Sequence, residues 1–141
     1  MIVRKTPTEL EKMRRSGLLV WQVLHEVSAL VKEGASTMEL EVAAEKMIRD
    51  AGAQPAFKGY YVPAVGARYP HVLCVSVNSE IVHGMPSPKR MLAKGDIVSI
   101  DTGAELDGYF GDSAVTIPVG EVDERTERLL AVTQEALELA I

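Results

Sequence analysis

The spacing of apolar positions divides the chain into a helical front, a β-rich middle and a helical end. Thr6-Pro7-Thr8-Glu9 reads as a capping box, with threonine at the N-cap, proline at the first helical position and glutamate at the third. A helix is expected from there to about Lys32, with Gly34 as its stop. Met13, Leu18, Val20, Trp21, Leu24, Val27, Leu30 and Val31 make up its expected apolar face. Ser36-Thr37-Met38-Glu39 repeats the box and opens a second helix that should end before Gly52. Its buried side is expected to hold Leu40, Val42, Ala43, Ala44, Met47 and Ile48. Two helices joined by a short turn predict an αα-hairpin.

After Gln54 the period changes. Residues 57–69 are rich in Gly, Pro and Tyr and predict a loop with at most a short strand. Residues 71–78, 81–83, 96–102 and 109–118 are short β-branched runs, punctuated by Gly84, Pro86, Pro88 and Gly95, and predict strands. Asp123 then caps a helical stretch over 124–141, with Leu129, Leu130, Val132, Ala136, Leu137 and Ala140 as apolar positions. That helix reaches the last residue without a glycine, proline or asparagine stop, so a truncated gene product or an excised domain is expected. Helix, helix, strands, helix is the order of an α+β domain. No βαβ rhythm and no Gly-rich phosphate loop accompanies it.

Composition narrows the class. The 141 residues are 47% hydrophobic and 25% charged, enough for one domain with its own core. No apolar run approaches the ~18 residues of a membrane span, and MIVRKTPTELEKM lacks a signal-peptide core. No membrane role is expected, and a cytoplasmic location is, unless an address lies outside this sequence. A net charge of −5 argues against nucleic acid as a partner. The single cysteine, Cys74, excludes an internal disulfide. Within HVLCVSVN it reads as a small buried hydrophobe more readily than as a reactive thiol.

The chemistry concentrates in DIVSIDTGAELDGYFGDSAVTIPVG, residues 96–120. Asp107-Gly108 is a type I′ turn signal. A turn centred there sets Asp101 opposite Ala114 and puts Asp112 on the same face, a diagonal neighbour ~7–8 Å away at the backbone. Two carboxylates so placed repel each other unless a cation compensates them, and their oxygens suit hard or borderline metals. Spacing alone leaves two exposed strand aspartates as the commoner reading. His83 alone reads as a structural histidine, as do His25 and His71.

Those aspartates have specific company. VSVNSEIVHGMPSPKRMLAKGDIVSID, DGYFGD, TIPVG and RLLAVTQEALELAI, with TPTELEKMRRSGLLVWQVL at the front, resemble the type I methionine aminopeptidases of the pita-bread metallopeptidase family. The resemblance spans nearly the whole chain. It implies the N-terminal half of a pita-bread fold over residues 1–141, an antiparallel sheet covered by helices, with the C-terminal half absent. It also implies removal of initiator methionine from peptides and nascent proteins, using two divalent ions (Co, Mn, Fe or Zn).

By the same resemblance Asp101 chelates one metal, Asp112 bridges both, and His83 of the HG-P motif faces the scissile bond of the substrate. Cys74, Tyr60 and Tyr69 match positions lining the methionine pocket, with core packing the alternative for each. The chain departs from the family at YVPAVGAR, residues 61–68, which is several residues longer than the usual loop and bears on both tyrosines. The family's remaining ligands, a histidine and two glutamates, come from the other half, so the 141 residues alone are expected to be inactive. Competing readings are an Xaa-Pro aminopeptidase or prolidase of the same fold, a non-catalytic pita-bread-like binding module, and a half-sized protein that self-associates or pairs with the missing half.

Overall fold

The computed structural model describes residues 4–141, so the first three positions of the MIVRKTPTELEKM segment lie outside it. Both capping boxes form. Thr6 and Ser36 each accept a hydrogen bond from the backbone N–H of the glutamate three residues on, and that glutamate reaches back to the cap. They launch α1 (Pro7–Ser28) and α2 (Thr37–Asp50). Two short pieces follow, β1 (Gln54–Pro55) and a hairpin of β2 (Tyr61–Val62) and β3 (Ala67–Arg68). The main sheet then takes β4 (Leu73–Val77), β5 (Ile97–Leu106) and β6 (Tyr109–Pro118), and α3 (Glu124–Ala140) closes the order.

All pairings in the sheet are antiparallel, with β5 at its centre. One edge of β5 carries β6 along its whole length; the other carries β4 and, beyond it, β1. Alternation along β5 separates two faces. Val98, Ile100, Thr102 and Ala104 are buried and face the helices, whereas Asp101 and Gly103 face the other way. The core joins these residues to Leu19, Val20, Val23, Leu24 and Val27 of α1 and Leu40, Ala44 and Ile48 of α2. This is the α+β arrangement of an antiparallel sheet covered by helices on one side.

The structure corrects several sequence expectations. The first helix ends at Ser28 rather than Lys32, because Leu30 and Val31 donate to carbonyls only three residues back and tighten the chain out of helix. Gly34, at φ 79°, shapes the following turn instead of capping the helix. The buried face of α1 runs through Ser16, Leu19, Val20, Val23, Leu24 and Val27; Met13, Leu18, Trp21 and Leu30 are exposed. On α2, Val42 is exposed and Glu41 is buried in its place. Residues 81–83 form no strand, being bracketed by left-handed Asn78 (φ 59°) and His83 (φ 61°). The loop over 57–69 contains the β2–β3 hairpin.

Two buried polar residues explain how the layers lock. The Ser16 hydroxyl donates to the Tyr109 carbonyl at 2.8 Å, and a Cβ on Gly111 would sit 2.5 Å from the Ser16 carbonyl oxygen. Only glycine lets α1 lie this close to β6. The Glu41 carboxylate accepts from the backbone N–H groups of Val72 (2.8 Å) and Leu73 (2.9 Å), fixing the start of β4. No residue of α3 is buried, and no helix among the described residues is long and apolar enough to cross a membrane.

Candidate active site

The hairpin of β5 and β6 turns through Asp107 (φ 54°) and Gly108 (φ 80°), the two positive values a type I′ turn requires. The ladder above it is unbroken, so no bulge disturbs the register. Asp101 pairs with Ala114 and Asp112 with Gly103, which places both carboxylates on the open face of the sheet, as their spacing implied. Asp101 is half-buried and Asp112 is exposed. A Cβ on Gly103 would lie 3.4 Å from an Asp112 oxygen and 3.1 Å from the Phe57 ring, so glycine clears the floor between the strands.

Burial, and then the nearby charge of Asp112, raise the Asp101 carboxyl above its ordinary range, with His83 acting in the opposite direction. A divalent cation between the strands would relieve both causes. Oxygen donors on one face fit such an ion, although two carboxylates are only part of a coordination set. Among the described residues no group of three or more His, Cys, Asp or Glu is placed to hold a metal.

Beside Asp101 lies an apolar pocket of about 780 Å³. Its lining includes four of the residues singled out in the sequence, His83, Cys74, Tyr60 and Tyr69, along with Asp101. Cys74 is opposite Asp101 across the β4–β5 ladder. Burial pushes its thiol upward, the reverse of the lowered value a reactive cysteine needs. Desolvation and the adjacent Cys74 likewise push the Tyr69 phenol upward. Asp112 lies outside the pocket lining.

Sequence reasoning missed Phe57, Phe110 and Met85, which also line the pocket. Phe110 was within reach, because it stands two residues before Asp112 on β6 and shares its face. Phe57 and Met85 lie outside strands, where periodicity carries no signal. Val62 and Val65 of the β2–β3 hairpin complete one wall; Arg68 steadies this hairpin by donating to the Gly59 carbonyl at 2.6 Å. His25 stacks on Trp21, and the His71 imidazole lies 3.4 Å from Glu41 and meets the Tyr69 ring edge-on; neither histidine is in the pocket lining.

The model of metallopeptidase family M24 matches residues 11–141. Methionine aminopeptidase 1 of Bacillus subtilis is 49% identical over 97% of this chain, which spans 52% of that relative. The crystal structure of methionine aminopeptidase from Thermotoga maritima superposes with a TM-score of 0.92 at 43% identity, over all of this chain and 54% of the other. The prolidase of Pyrococcus horikoshii superposes at 0.80 with 24% identity, covering 97% of this chain and 36% of that one, a likeness of fold alone. The chain thus spans about half the length of the methionine aminopeptidases it matches.

Proposed function

Because the chain belongs to metallopeptidase family M24, we propose that the protein carrying it removes N-terminal methionine from peptides and nascent proteins. The observation that carries this reading is that Asp101 and His83 line one apolar pocket, with Asp112 a diagonal step from Asp101 on the same sheet face. Asp101 and Asp112 would hold divalent cations, two of them from Co, Mn, Fe or Zn, with further ligands from outside residues 4–141. Bound there, such cations supply Lewis acidity, which acidifies water and polarises a carbonyl.

The chain's own residues do the rest. The pocket of Phe57, Tyr60, Tyr69, Cys74 and Phe110 offers an apolar surface to the methionine side chain. His83, at the pocket edge beside Asp101, hydrogen-bonds the substrate near its scissile peptide and orients it. The exposed apolar positions of α3, including Leu129, Val132 and Leu137, support association with further protein, either a second copy or the segment the longer relatives possess.

The test is methionine release from Met-Ala-Ser with added Co²⁺ or Mn²⁺, run on this chain and on the complete gene product. Turnover by the complete product and none by residues 1–141 is the expected result. Release of proline-linked residues from Gly-Pro peptides in its place would transfer the assignment to the prolidase branch.

A further inference from the structure

We propose that Ser76, assisted by Tyr69, is a positioning residue for His83, acting by clamping the backbone of Gly84 against β4. The proposal rests on the reading of His83 as substrate-facing. His83 has φ 61°, a region that residues with a Cβ seldom occupy without support from their surroundings. It is exposed and no strand contains it, so its direction is set by the peptide that follows.

Gly84 is held at both its N–H and its carbonyl. The Gly84 N–H donates to the Ser76 hydroxyl at 3.1 Å, and the Gly84 carbonyl accepts from the Val75 N–H at 2.8 Å. The Tyr69 hydroxyl donates to the Leu73 carbonyl at 2.8 Å and lies 3.3 Å from the Gly84 carbonyl. A Cβ on Gly84 would sit 2.3 Å from the Val75 oxygen, so the approach is open to glycine only. Ser76 is itself buried, at 3% exposure.

Register gives the clamp its purpose. Cys74 pairs with Asp101 and Ser76 with Ser99, so Cys74 and Ser76 share the sheet face that carries Asp101. Hanging His83 from Ser76 therefore ties it to the strand beside Asp101, and its place relative to that aspartate is fixed by a sheet ladder instead of a loop. A side chain misplaced by about 1 Å can cost ~100-fold in rate.

The experiment compares variants of the complete gene product. Ser76→Ala should lower kcat for Met-Ala-Ser about tenfold or more, with KM and Tm close to wild type, and Ser76→Thr should restore it. Ser99→Ala removes a hydroxyl bonded to Thr116 on the same sheet and should leave kcat unchanged. Tyr69→Phe should give a smaller kcat loss than Ser76→Ala. Hydrogen exchange at the Gly84 amide should quicken in Ser76→Ala. Equal kcat in Ser76→Ala and Ser99→Ala overturns the proposal. If the wild type releases no methionine, the functional reading alone fails, and exchange decides the clamp: a faster Gly84 amide supports it and an unchanged one overturns it.

Discussion

Asp101 and Asp112 face the same side of one hairpin, a single diagonal step apart: Asp101 is opposite Ala114, and Asp112 is opposite Gly103. Both Gly103, which leaves room for the Asp112 oxygen, and the unbroken ladder are needed for this placement. The pair concentrates negative charge, which His83 offsets in part at Asp101.

A stability prediction follows from that charge. The Asp101 carboxyl is raised by burial and by Asp112, so ionisation works against the fold as pH climbs above the unfolded value of 3.8. Asp101→Asn should raise the Tm of the metal-free protein at neutral pH, measured by calorimetry. Added Mn²⁺ or Co²⁺ should raise the wild-type Tm and leave the variant's unchanged.

Gly111 carries a packing prediction. Gly111→Ala drives a methyl group into the Ser16 carbonyl at 2.5 Å, so α1 must lift away from β6. The expected cost is about 1–3 kcal/mol, the usual range for overpacking, read from denaturant unfolding. Asp112, the next residue, should shift with the strand.

Glu41 is the third site. Glu41→Ala leaves two buried backbone N–H groups, of Val72 and Leu73, without their acceptors. A loss of about 2–5 kcal/mol is expected for removing such a buried, doubly bonded carboxylate. Glu41→Gln keeps one acceptor oxygen and should lose less, as chemical denaturation will read.

Acid should weaken the helix starts. Glu9 and Glu39 are held below their ordinary value first by the backbone N–H groups of Thr6 and Ser36, then by those side chains. Lowered carboxyls stabilise the fold above the unfolded value of 4.5, and that contribution disappears as pH falls through the folded value. Helical circular dichroism titrated downward from pH 5 should show this loss, and Glu39→Gln should remove part of it.

Local chemistry made some features readable in the sequence. Both capping boxes, the Asp107-Gly108 turn and the shared face of the two aspartates follow from neighbouring residues, and the structure has them where the spacing put them. Tertiary choices were not readable in the same way. The buried stripe of α1 passes through Ser16, because its hydroxyl finds the Tyr109 carbonyl, and leaves the more hydrophobic Trp21 outside. Glu41 is buried because two distant N–H groups need it. The residues 81–83 look like a strand by composition, yet Asn78 and His83 adopt left-handed backbone and turn the chain back onto β4. Pocket residues from irregular segments, Phe57 and Met85, had no period to announce them.

Metal analysis of the complete gene product, comparing wild type with Asp112→Asn after equilibration with Mn²⁺ or Co²⁺, decides whether the hairpin aspartates hold cations. Stoichiometric divalent metal is expected in the wild type, with its loss in the variant and a parallel loss of methionine release from Met-Ala-Ser. Equal metal in both proteins, or none in either, would contradict it.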